Sequence, residues 1–165
     1  MLPQKLNRQR LDSLEEILEI EYEKLGYFQK EIATTANATV KFELKQRIKR
    51  EIIPDIRSHE CEYGELLDQE ADTTVISNVD AEHTLADVVQ AVENLEVQRS
   101  ESYPEELLRL LREIREKLDE PGKTAAAKLK VVLPIVPLLA SYELEMDTEA
   151  MMSRAWQQVK FLFTR

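Results

Sequence analysis

The run Val131–Ala140 constrains this 165-residue chain more than any other stretch. Its sequence, VVLPIVPLLA, carries no polar side chain, yet includes two prolines, Pro134 and Pro137. A membrane-spanning helix needs about 20 apolar residues, so the run is too short to be one. A central β-strand fails as well, because each proline removes a ladder hydrogen bond. An undisturbed helix loses a hydrogen bond at each proline and crowds the carbonyl four residues earlier, at about 3 kcal/mol per site. The expected solution is a helix that bends near Val131–Pro134 and restarts with Pro137 in its first turn. Being apolar on all sides, that segment has to be surrounded by other helices.

The rest of the chain points the same way. Only three glycines occur, Gly26, Gly64 and Gly122, too few for the turns of a β-rich fold. Leu11, Leu14, Leu18, Leu25, Phe28 and Ile32 follow steps of three and four, predicting an amphipathic helix over about Gln4–Ala33, with Glu21 interrupting its seam. The cap- and turn-rich TTANAT (Thr34–Thr39) ends it. A second helix carries Leu44, Ile48, Ile52, Ile56, Tyr63 and Leu66 on one stripe and is kinked at Pro54, so the two form an antiparallel hairpin. Residues 71–80 read as a linker or a short extended piece, followed by an acidic helix over about Asp80–Val97 built on Leu85, Val88 or Val89, Val92 and Leu95. Ser102 and Glu105 have capping-box spacing before PEELLRLLREIREKL, and EPG (Glu120–Gly122) stops that helix. Asp147 is placed to cap a last helix holding Met151 or Met152, Ala155, Trp156, Val159 and Leu162. The expectation is an all-α fold: a hairpin over 1–71, a linker and acidic helix over 72–101, and a C-terminal three-helix unit over 102–165 with a proline-kinked central helix. Tyr22, Tyr27, Tyr63 and Trp156 are expected in the core or at its edge.

Charge narrows the partners. The net charge of −10 is concentrated in residues 71–101, where seven acids face one base, Arg99. An acidic centre repels phosphate backbones and anionic lipid, so neither nucleic acid nor a membrane is an expected partner. The basic exception is KFELKQRIKR (Lys41–Arg50). A lone Cys61 and a start without an apolar signal core suit a reducing cytoplasm.

Enzyme-like signals are few. His59 falls on the stripe of the second helix and reads as a packed, hydrogen-bonded histidine. His59 and Cys61 point to different sides of a helix, which argues against a zinc site. ELEMDTE (Glu143–Glu149) lacks the glycine and distal glutamate of a calcium loop. EHTLADVV places His83 in a setting that resembles the HTLKG motif of histidine phosphotransfer domains. The lysine and glycine of that motif correspond here to Ala86 and Asp87, and Glu82 and Asp87 would repel an incoming phosphoryl group. No catalytic set, cofactor or metal is expected.

Two segments carry a family resemblance. The run from Tyr103 to Phe163, with AKLKVVLPIVP and SYELEMDTE at its centre, resembles a small helical module of cyanobacterial multidomain proteins, where it leads into NTPase (NACHT), caspase-like or TIR effector regions. The run YEKLGYFQKEIATTANATVKFELKQRIKREIIPDI (Tyr22–Ile56) resembles the helical effector-associated hairpins found near such proteins. The resemblance implies homotypic or adaptor-type association without catalysis. Glu21, Asp87, Glu93 and Glu96 are the expected partner-binding residues, with Glu21 alternatively a register device within its seam. The alternatives are phosphotransfer through His83, and a structural homo-oligomer using the Leu11–Ile32 seam as an intermolecular coiled coil.

Overall fold

The computed structural model describes residues 2–146 and 149–164, with side chains from Leu6 onward. The described chain is all-helical, and no strand occurs among the described residues. It forms two compact units, residues 1–63 and 64–165.

The first unit opens with α1 (Leu2–Thr34), slightly longer at both ends than its periodicity predicts. Leu11, Leu14, Leu18, Leu25 and Phe28 are buried, so the seam is used up inside the chain and is not open to an intermolecular coiled coil. Asn37 then caps α2 (Ala38–Arg47): its side-chain oxygen accepts from the Thr39 and Val40 amides at 2.9 and 3.2 Å. The chain continues through a π turn, Ile48–Ile52, into α3 (Ile53–Glu70). Pro54 explains the widened turn. It has no amide hydrogen and would crowd the Arg50 carbonyl, and the Ile53 amide reaches back five residues to Ile48. The expected kink is thus absorbed as a π bulge. It brings Ile52, Ile53 and Ile56 into the core, whereas Leu44 and Ile48 stay half-exposed. Tyr63 is fully buried, but Tyr27 is 62% exposed and meets its neighbour Phe28 edge to face; the expectation that Tyr27 is core is overturned.

The second unit takes in the end of α3 from Gly64, then α4 (Asn78–Val97), α5 (Glu105–Leu118), α6 (Ala125–Val132), α7 (Val136–Glu145) and α8 (Met151–Thr164). Leu67, not Leu66, is the buried leucine at the end of α3. The acidic helix α4 is capped by Ser77, whose hydroxyl accepts from the Asp80 amide. It packs on α8 and α6 with Ala81, Val88, Ala91, Val92 and Leu95 buried. The acidic helix is therefore a core element of the second unit, not part of a connecting segment. The predicted capping box before α5 does not form. Pro104 occupies the cap position, and the Ser102 hydroxyl shares a 2.6 Å hydrogen bond with Ser100.

The proline run behaves as its chemistry requires. Helix α6 ends at Val132, α7 restarts with Pro137 in its first turn, and the two axes bend by 60°. Leu129, Val132, Leu133, Ile135, Val136 and Leu139 are all buried. No single helix among the described residues is long and apolar enough to cross a membrane; the bent α6–α7 pair has the length and composition, but its apolar side chains line the core of this unit.

Candidate functional site

The chemistry of the first unit lies along the antiparallel contact of α1 with α3. Four side-chain pairs join the helices: Arg10 with Glu62, Glu15 with Tyr63, Glu21 with His59, and Tyr22 with Glu60. Glu60 is 2% exposed and accepts from the Tyr22 hydroxyl at 2.9 Å. The Tyr63 hydroxyl donates to Glu15 at 2.8 Å. Glu21 brings a carboxylate oxygen 2.7 Å from His59 Nδ1, both side chains being largely covered. Burial pushes the Glu21 carboxyl above its ordinary value, and the His59 charge pulls it partly back. Burial, reinforced by the neighbouring carboxylates, likewise pushes the Tyr22 and Tyr63 hydroxyls upward.

This layer holds helices in register. A one-turn slip of α1 along α3 would separate all four pairs and take the Tyr22 hydroxyl from the buried Glu60. His59 is thus the packed histidine expected from its stripe, and Glu21 is its partner. Among the described residues, no group of three or more His, Cys, Asp or Glu side chains gathers as a metal ion would need.

The acidic residues of the second unit divide into two kinds. Glu96 is half-buried and forms a two-point ion pair with Arg115, tying α4 to α5, so its charge is spent within the chain. The Tyr103 hydroxyl closes the same junction on the Leu95 carbonyl at 2.8 Å. Asp87 and Glu93 are exposed. Asp87 edges a shallow groove between α4 and α8, lined also by Gln90, Met151, Arg154, Ala155 and Gln158. His83 is exposed on the same helix, as are Glu82 and Asp87 near it.

Three features were not expected from sequence. Glu143, 2% exposed at the end of α7, accepts from the Met152 and Ser153 amides at 2.8 and 3.0 Å. It therefore caps the start of α8 from another helix; the expected cap, Asp147, lies outside the described residues. Ile20 and Phe42 stand 65% and 64% exposed in the first unit. Helix α2 buries none of its ten residues. Heptad spacing of Leu6, Ser13, Ile20 and Tyr27 was the available sign of an outer stripe on α1, opposite the buried seam.

No protein-family model matches the chain, no curated protein matches it, and no solved structure matches its fold.

Proposed function

We propose that this chain is a non-catalytic protein–protein interaction module, an adaptor in a bacterial signalling or defence assembly of the cytoplasm. The observation that carries the reading is α2: a ten-residue helix that buries none of its side chains and displays Phe42. A partner laid on that face would cover the exposed aromatic ring. The exposed acids Asp87 and Glu93 on α4 offer a second, charged surface for a basic partner. The resemblance of Tyr22–Ile56 and Tyr103–Phe163 to modules of NTPase-, caspase-like- and TIR-containing proteins supplies the setting.

The test is affinity capture from native lysate with the tagged full chain, compared with Phe42→Ser and with Asp87→Lys/Glu93→Lys. Recovery of an effector protein bearing a similar helical module, lost in either variant, supports the reading. Recovery of the bait alone overturns it.

Phosphotransfer through His83 is the second reading, favoured by the exposure of the imidazole on α4. Incubation with a phosphorylated response regulator, followed by mapping of acid-labile phosphate, decides it: no label at His83 removes the reading.

A further inference from the structure

The second unit holds an open cleft of about 540 Å³ where the loop after α4 meets the first turns of α5, lined by Arg99, Glu105, Glu106, Leu108, Arg109 and Arg112. Arg109 is engaged there: it donates to both oxygens of Glu106 and to Glu113, so its charge is balanced within the chain. Arg99 and Arg112 are exposed and have no ion-pair partner among the described residues, although the chain holds 32 acids against 22 bases. Glu101 and Glu116, exposed acids close to them in sequence, lie outside the lining and pair with neither. Glu105 is exposed and likewise without an ion-pair partner, and the half-buried Leu108 supplies an apolar wall. The backbone that carries Arg99 is held in place. Its amide donates to the Glu96 carbonyl at 3.2 Å, and Tyr103 ties the loop to the Ser100 carbonyl through its amide and to the Leu95 carbonyl through its hydroxyl.

We infer that this cleft binds a phosphorylated sugar, with the phosphate on Arg99 and Arg112 and the sugar hydroxyls on Glu105. Two guanidinium groups facing one space repel each other until an anion lies between them. Their planar forks match phosphate oxygens two at a time. A phosphate monoester carries about two negative charges at pH 7.5, which balances the two free arginines. Glu105 repels a bare phosphate, but a carboxylate accepts hydrogen bonds from hydroxyls, so it selects the part of the ligand that carries them. Leu108 covers the apolar face of the sugar. Every charged group of the lining then has a partner: Arg109 and Glu106 have each other, the two free arginines have the phosphate, and Glu105 has the hydroxyls. The cleft has the volume of a small-molecule site. The inference goes beyond the interaction-module reading, which rests on α2, and does not depend on it.

Isothermal titration calorimetry on the full chain tests this at pH 7.5 in low salt, with ribose 5-phosphate, ribose and inorganic phosphate as probes. Ribose 5-phosphate is expected to bind more tightly than inorganic phosphate, and ribose to give no measurable heat. Arg99→Gln and Arg112→Gln each remove a charged hydrogen-bonding group and are expected to weaken the sugar phosphate by about 10-fold or more. Arg154→Gln makes the same change of charge on α8, outside the cleft, and is expected to leave the affinity unchanged. Glu105→Gln is expected to tighten inorganic phosphate and to shrink the preference for the sugar ester. All four positions are exposed, and an unchanged helical circular dichroism spectrum confirms that the substitutions leave the fold intact. No heat from ribose 5-phosphate at millimolar concentration overturns the inference. Binding that survives both arginine variants, or that falls equally in Arg154→Gln, overturns the location. Equal affinity for ribose 5-phosphate and inorganic phosphate overturns the sugar assignment.

Discussion

At the scale of single residues, buried carboxylates separate structure from display. Glu143 is the clearest case, since its two oxygens take the amides at the start of α8, where an anion also meets the positive end of the helix dipole. Glu143→Ala would leave both amides without an acceptor and should cost about 2–3 kcal/mol, measured by urea unfolding. Burial raises the Glu143 carboxyl above the ordinary value of 4.5, and the two amides only partly offset that. The folded chain therefore binds this proton more tightly than the unfolded chain does. Its contribution to stability rises as pH falls from above the raised value toward 4.5, where the unfolded carboxyl also protonates. Glu143→Gln cannot titrate. The stability difference between wild type and Glu143→Gln should shift toward the wild type between pH 7.5 and pH 5; a difference constant with pH would refute the assignment. In the first unit, Glu21 and His59 should couple by about 1 kcal/mol in a double-mutant cycle, as a partly covered ion pair does, while Glu21→Ala with His83→Ala should show additivity.

At the scale of elements, the proline run shows what sequence chemistry can and cannot reveal. Pro134 and Pro137 placed the break between α6 and α7 correctly, because proline acts through local backbone geometry that needs no tertiary context. Pro54 likewise announced a disturbance, but whether it became a kink or a π bulge depended on bringing Ile52, Ile53 and Ile56 together into the core. The long-range items stayed hidden. Nothing in the spacing of Glu143 indicates that it caps a helix beginning eight residues later, and the capping-box spacing of Ser102 and Glu105 was a true local pattern overridden by Pro104. Of the expected partner-binding residues, Glu21 and Glu96 turned out to pair internally because their partners, His59 and Arg115, lie on other helices. The break also sets a packing limit that sequence alone does not display. A Cβ added to Gly64 would lie 2.9 Å from the Pro137 ring and 3.4 Å from the Leu133 carbonyl oxygen. Gly64→Ala gains about 1 kcal/mol of helix propensity but drives a methyl group into a rigid ring and backbone, so the net effect should be a loss of about 1–2 kcal/mol. Gly26→Ala, in the middle of α1 with nothing within 4 Å of the added carbon, should stabilise by up to about 1 kcal/mol. Opposite signs in thermal melts of the two variants would separate packing from propensity.

At the scale of the molecule, the division at residues 63 and 64 falls inside α3, so no loop or composition change marks it. The helical periodicity that identified α3 runs straight through the boundary, which is why a hairpin ending near residue 71 was expected instead. Each unit nevertheless has its own fully buried side chains, Leu14 and Ile56 in the first, Leu139 and Trp156 in the second. Units with separate cores unfold with separate free energies. Trp156 is the only tryptophan, so its fluorescence reports the second unit alone, while far-ultraviolet circular dichroism reports both. Leu139→Ala should lower the unfolding free energy seen by fluorescence by about 2–5 kcal/mol, the cost of a buried leucine and the cavity it leaves. Leu14→Ala should leave the fluorescence midpoint in place and move only the part of the dichroism transition that fluorescence does not follow. If Leu14→Ala shifts both probes together, the two units share one cooperative transition, and α3 transmits stability across the boundary it spans. If the probes separate, the first unit can open while the second stays folded, and a surface on α1 and α2 can be remade by a partner without disturbing the α4–α8 core.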